Sequence, residues 1–263
     1  MTSSGDGNRK YLRFAALGDS TTHGVGDPHG GGWRGWARLL ADAIATSHDM
    51  SFCNLAVSGA TTLTVRYGQL HDAVTHQPDI ASLIVGVNDT MRGNWDPARV
   101  RRDLFHAAET LTDQGAMLLT ARFHDHGEVW GLPGVLRRPL FARIQAVNEV
   151  YDELHQRFDT LRVDLAQRPE IQARAFWSID RMHPSELGHR ALARMYGELL
   201  NQRGIDFALP SAERDGNYQP NWRSDLRWMV TEGAPWMGRR AKDLGPLAVK
   251  LALAPRREIA VRA

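Results

Sequence analysis

The sequence predicts a three-layer α/β/α fold, with helices on both faces of a mostly parallel sheet. Short apolar runs bounded by turn residues recur through the first 200 residues, and longer stretches with apolar side chains at 3- and 4-residue spacing separate them. The runs lack the strict alternation of a half-wet strand, so they suit strands covered on both sides. Strand and helix signals take turns along the chain, which is the pattern of βα crossover units.

Five runs fit strands: residues 11–17, 51–57, 80–87, 116–121 and 161–165. The helical stretch at 33–46 sets Trp36, Leu39, Leu40 and Ile44 on one face. Asp96 offers an N-cap with Pro97 at the first helical position, ahead of Val100, Leu104 and Leu111. Residues 141–158 repeat the periodicity, and a last amphipathic helix is expected over 185–200 through Leu187, Ala191, Leu192, Met195 and Leu199, stopping near Gly204. Two segments break the alternation. Residues 124–139 hold Gly127, Gly131, Pro133, Gly134 and Pro139 with Trp130 and Leu132, and read either as an active-site loop or lid or as a surface insertion. The stretch after Gly204 has no strand signal, carries five prolines and offers one helix at 223–231. A domain of residues 1–204 followed by a C-terminal extension of residues 205–263 is therefore expected.

The composition, 43% apolar and 24% charged over 263 residues, is that of an ordinary globular protein. With 32 Lys plus Arg against 30 Asp plus Glu, the net charge of +2 gives a phosphate backbone little to bind, and nucleic acid is excluded as the main partner. The charge is uneven. Residues 201–263 hold 11 Lys plus Arg against 7 Asp plus Glu, or +4, which leaves 21 against 23, or −2, for residues 1–200. Trp222, Trp228 and Trp236 with Arg223, Arg227, Arg239 and Arg240 fit a strap packed on the domain better than a basic element that touches a membrane or a partner protein, because three indoles need burial. The single cysteine, Cys53, excludes an intrachain disulfide and a Cys-based zinc cluster. No early apolar stretch is long enough for a leader core or a membrane span, so a soluble, cytoplasmic protein is expected.

In an open parallel sheet the reactive groups gather where strands end, so the residues after each run are the most informative. Gly18-Asp19-Ser20 follows the first run and puts a hydroxyl there. Ser58-Gly59-Ala60 follows the second, where glycine lets a backbone N–H come close to a substrate oxygen. Gly86-Val87-Asn88-Asp89 follows the third and supplies an amide donor. Asp180-Arg181-Met182-His183-Pro184 sets a carboxylate three residues before an imidazole, just ahead of the last helix. Each piece alone also fits a turn or a helix cap. Together they supply a hydroxyl nucleophile, a base, an orienting acid and three oxyanion donors.

The order Gly18-Asp19-Ser20, Asn54 with Gly59, Gly86-x-Asn88-Asp89 and Asp180-x-x-His183 resembles the four signature blocks of the SGNH hydrolase superfamily, the GDSL-type esterases and lipases, over roughly residues 11–200. One departure is Thr21, where the family often has Leu or Ile. The resemblance implies a flavodoxin-like sheet of five parallel strands, a serine esterase acting on small-molecule esters, and no metal or organic cofactor. It implies Ser20, Asp180 and His183 as the catalytic triad. The backbone N–H groups of Ser20 and Gly59 and the side-chain amide of Asn88 would form the oxyanion hole. Acyl transfer from the same acyl-serine is the nearest alternative, and a binding or scaffold protein with a vestigial hydrolase domain is a more distant one.

Other candidates carry less. His124-Asp125-His126-Gly127-Glu128 has ligand-like spacing, but no second cluster completes four ligands and a solvated turn fits as well. His23 fits a hydrogen-bonded structural residue better than a pocket residue. Gly24-x-Gly26 lacks the dinucleotide spacing, and no Gly-x-Ser-x-Gly elbow is present.

Overall fold

Five parallel strands form the central sheet of the computed structural model, which describes residues 9–215. In chain order the strands are β1 (Tyr11–Gly18), a small antiparallel hairpin of β2 (Pro28–His29) and β3 (Gly32–Trp33), then β4 (Asp49–Asn54), β5 (Ile80–Ile84), β6 (Met117–Arg122) and β7 (Leu161–Asp164). The sheet order is β4-β1-β5-β6-β7, the flavodoxin-like arrangement, and all its pairings are parallel. The order reverses between β1 and β5, so a crevice opens at the carboxyl ends of these two strands. Every residue of β5 is buried, in keeping with an apolar run covered on both faces.

The helices are α1 (Ser20–His23), α2 (Gly35–Ile44), α3 (Thr62–Thr64), α4 (Leu70–His76), α5 (Val87–Thr90), α6 (Pro97–Thr112), α7 (His126–Val129), α8 (Gly134–Phe158) and α9 (Glu186–Gln202). Helices α2 and α9 pack together on one side of the sheet, where the rings of Trp36 and Tyr196 meet at 4.7 Å; α4, α6 and α8 form the other layer. The expected Asp96 cap is made, its carboxylate accepting from Arg99 N–H at 3.0 Å with Pro97 opening the helix, and α9 is capped by the Ser185 hydroxyl, which accepts from Gly188 N–H at 3.3 Å.

Several boundaries differ from expectation. The run at 51–57 is a strand only to Asn54, because the Asn54 carboxamide accepts from Ala56 N–H at 3.1 Å and bends the chain out of the sheet. The run at 80–87 ends at Ile84, and Val87 already belongs to α5. Residues 124–139 are not one long loop. They hold α7 and the start of α8, and Pro139 lies inside that helix. Proline there removes one backbone donor, but α8 continues because Leu140, Ile144, Val147 and Tyr151 bury its inner face. Among the described residues, no helix is long and apolar enough to cross a membrane. Ile205 and Phe207 are buried in the common core, so the division at residue 204 is a proposal from sequence. The helix expected at 223–231 and the tryptophans of the extension lie outside the described residues.

Candidate active site

The chain leaves β1 at Gly18 and turns sharply into α1. Asp19 caps this helix, its carboxylate accepting from Thr21 N–H at 3.1 Å, and Ser20 is the first helical residue. The strand end itself is clasped by Gln69, which closes a π-helical turn (Val65–Gln69): its carboxamide accepts from Gly18 N–H and donates to Gly18 C=O, both at 2.9 Å. Just beyond, Gly26 has φ +102°, and a Cβ there would stand 2.0 Å from the Pro184 carbonyl oxygen. Only glycine therefore allows the segment carrying His183 to lie against the loop that follows Ser20.

Ser20, His183 and Asp180 meet across the carboxyl edge of the sheet. His183 Nε2 lies 2.8 Å from Ser20 Oγ, and His183 Nδ1 lies 2.6 Å from Asp180 Oδ2. The turn that makes this possible holds Arg181 in the left-handed region, φ +56°, and folds the Asp180 carboxylate back over Met182 N–H at 2.9 Å and His183 N–H at 3.1 Å. The Ser178 hydroxyl also donates to Asp180, and Ser178 N–H donates to the His183 carbonyl at 2.8 Å. Burial pushes the Asp180 pKa up, but the His183 ring, the Ser178 hydroxyl and the Met182 amide together hold it below the ordinary carboxylate range. Asp180 is therefore a carboxylate at neutral pH. In that form it can keep a proton on His183 Nδ1 and leave Nε2 to take one from the serine.

The third and second strand ends supply the other side of the cleft. Asn88 Nδ2 donates to the Ala60 carbonyl at 3.0 Å and approaches the Asp19 carboxylate at 3.4 Å. Asp89 accepts from Thr62 N–H at 3.1 Å and from its hydroxyl at 2.8 Å. These bonds stitch the loop after β4 to the turn after β5. Gly59 sits on that loop with φ +78°, a conformation that suits glycine, and Arg92 donates to its carbonyl at 3.4 Å. Ser20, Asn88 and His183 line the cleft, whereas Gly59 stands just outside its lining.

The cleft, about 770 Å³ including its open mouth, has an aromatic wall that the sequence pattern did not reveal. His124 and His126 are not on a solvated turn: both are buried and stack at 4.0 Å between Trp130 and Trp177. Burial lowers the pKa of His126 to about 4 and holds His124 well below the usual histidine range. Among the described residues, no group of three His, Cys, Asp or Glu side chains is placed to hold a metal ion. His23 is tied by Nδ1 to the Ala56 carbonyl at 3.0 Å and does not line the cleft. Ser178, Gln69 and the histidine pair were missed as site residues; only Ser178, two residues before Asp180, left a local trace in the sequence.

The chain matches the model of the GDSL-like lipase/acylhydrolase family over residues 16–191, about two thirds of its length. Among solved structures it is similar to TesA, at 21% identity, 72% of this chain and 98% of that one covered, with a TM-score of 0.57. It is similar to the psychrotrophic esterase EstA from Pseudoalteromonas sp., at 16% identity, 74% and 100% covered, TM-score 0.55. A variant of Axe2, an acetyl xylan esterase from Geobacillus stearothermophilus, aligns at 19% identity, 74% and 95% covered, TM-score 0.58. At these identities the likeness to the solved structures is one of fold. No curated protein sequence matches the chain. A matched family model over residues 16–191, about two thirds of the chain, makes it a member of the GDSL-like lipase/acylhydrolase family and a carboxylic ester hydrolase.

Proposed function

We propose that the chain hydrolyses small-molecule carboxylic esters through an acyl-serine intermediate on Ser20. The observation that carries this reading is the unbroken line from Asp180 Oδ2 to His183 Nδ1 at 2.6 Å and from His183 Nε2 to Ser20 Oγ at 2.8 Å. Ser20 Oγ attacks the ester carbonyl as His183 Nε2 takes its proton. The C–O bond to the alcohol then breaks, and the alcohol leaves with that proton. Water repeats the sequence on the acyl-enzyme, again losing its proton to His183, and frees the carboxylic acid and Ser20.

The negative charge that forms on the carbonyl oxygen in each half needs donors already in place. The backbone N–H groups of Ser20 and Gly59 and the amide of Asn88 are assigned this role. The bond from Asn88 to the Ala60 carbonyl supports it, since that bond ties the amide to the loop bearing Gly59.

The test is direct. Wild type should hydrolyse p-nitrophenyl acetate, and Ser20→Ala should lower kcat by at least about 10³-fold, in line with the loss of a triad nucleophile. A reactive phosphonate should add covalently to Ser20, read by mass spectrometry of the peptide, and should not add in Ser20→Ala. Retained turnover in Ser20→Ala would remove Ser20 as the nucleophile. Asn88→Ala should lower kcat by about 10²–10³-fold with little change in KM, the pattern of a donor used mainly in the transition state.

A further inference from the structure

One short stretch supplies several of the residues that line the cleft. Leaving β6, the chain carries Phe123, His124, His126 and Trp130 into the cleft. His124 stacks on His126 with planes 15° apart, and Trp130 meets His126 edge-on at 5.5 Å. The stretch is held firmly. Asn148 accepts from Phe123 N–H at 2.7 Å and donates to Phe123 C=O at 2.9 Å, while Arg137 donates to Asp125 and to Glu128, both at 2.8 Å.

Polar atoms on this wall are left over. His126 Nδ1 is engaged by the His124 carbonyl at 3.0 Å, but neither ring nitrogen of His124 has a hydrogen-bond partner, although the residue is only 5% exposed. The indole N–H of Trp130 is buried and unpartnered as well. The neighbouring Trp177 shows the contrast, since its N–H donates to the Ile171 carbonyl at 2.7 Å. Buried polar groups of folded proteins are nearly always satisfied, and leaving one unmet is costly, so three unmet atoms on two residues that line one cleft ask for a ligand that meets them.

The chemistry of those atoms narrows the ligand. Burial keeps both imidazoles neutral at neutral pH, so the wall has no positive charge with which to hold a carboxylate or phosphate. A neutral imidazole with both nitrogens unengaged offers one donor and one acceptor, and Trp130 adds a second donor. An alkyl chain satisfies none of these, and a carbonyl or ether satisfies donors only. A hydroxyl group both accepts and donates. We propose that the His124–Trp130 wall is a subsite for a neutral, hydroxyl-bearing part of the ester, with His124 exchanging two hydrogen bonds with the substrate, Trp130 donating one, and the ring faces covering its C–H surface.

This subsite deepens the esterase reading, so its test separates the two. Ser20→Ala protein, which keeps the wall, is titrated by calorimetry with two matched pairs: glycerol monoacetate against propyl acetate, and ethyl 3-hydroxybutyrate against ethyl butyrate. The hydroxylated member of at least one pair should bind about 10-fold more tightly, and adding His124→Phe should bring the preference below about 2-fold. Trp130→Phe, which removes one N–H and little volume, should lower it in part and serves where the histidine change fails to fold. Equal binding within both pairs, or a preference that survives both changes, would overturn the subsite. Turnover of p-nitrophenyl acetate by wild type is scored separately. Its absence sinks the esterase reading and leaves the binding comparison standing, whereas normal turnover without hydroxyl preference sinks the subsite alone.

Discussion

Asp19 shows how one residue of the turn that carries Ser20 trades stability for position. Its carboxyl is buried, and burial raises its pKa from 3.8 to about 6, against the lowering effects of the Thr21 amide and the nearby His183. The folded state thus favours the protonated form more than the unfolded chain does. The stabilisation is fully present below about pH 4 and is lost as pH rises through about 6; the shift of about two units corresponds to roughly 3 kcal/mol. Asp19→Asn keeps a side-chain acceptor for Thr21 N–H and removes the titration. Its stability relative to wild type should therefore improve by about 3 kcal/mol between pH 4 and pH 7, measured by urea unfolding at each pH, and a constant difference would show that Asp19 does not titrate in this range. The proposed roles of Ser20 and His183 could be drawn from the sequence because each belongs to a short motif, one at the end of the first strand and one just ahead of the last helix. For His124 and His126 the sequence offered only a metal site or a solvated turn, since only the adjacency of β5, β6 and the His183 turn in space puts their rings in the cleft.

At the level of elements, a common device holds the carboxyl edge of the sheet. Four strand ends are each pinned by a side chain that pairs with backbone as the chain leaves the sheet. Gln69 clasps Gly18 after β1, Asn54 binds Thr22 C=O and Ala56 N–H after β4, and Asn148 clasps Phe123 after β6. Tyr151, on α8, accepts from Val85 N–H at 3.1 Å and donates to Val85 C=O at 2.8 Å, three residues before Asn88. A loop that carries a reacting group and has no ladder partner would otherwise leave buried donors unmet. Tyr151→Phe keeps the packing and strands the Val85 N–H, so it should cost about 1–3 kcal/mol in chemical unfolding; a loss below about 0.5 kcal/mol would mean that Val85 finds another partner. The βα alternation and the helix faces were readable because apolar spacing reports burial locally. The pins were not, because Gln69, Asn148 and Tyr151 reach backbone groups 25 to 66 residues away, and no local pattern encodes such a partner. The same holds for α8, whose early start through Pro139 is decided by packing on the sheet rather than by propensity.

Across the whole molecule, the stretch after α9 is bound back to the domain by both charge and apolar contact. Arg34, next to the α2 start, donates to Asp27 at 2.9 Å, to Glu186 at 3.2 Å and to Asp215, while Arg190 on α9 reaches Glu186 at 3.1 Å and Asp215 at 2.5 Å. Arg194 donates to the Pro210 carbonyl at 2.6 Å, and Ile205 and Phe207 are buried beneath. A charge step near residue 200 suggests a boundary there; charge reports solvated surface, and Ile205 and Phe207, past that point, belong to the buried core. Loss of a buried Phe and a buried Ile each costs several kcal/mol, so a chain of residues 1–204 should lose roughly 5 kcal/mol or more, a large part of the stability of an ordinary domain. Cutting after Asp215 keeps all of these contacts, so comparing chains 1–204 and 1–215 isolates the contribution of residues 205–215. The shorter chain should melt at least about 10 °C below the longer one or fail to accumulate in soluble form. Equal melting temperatures would show that the hydrolase core closes without Ile205 and Phe207, and would support residue 204 as its end.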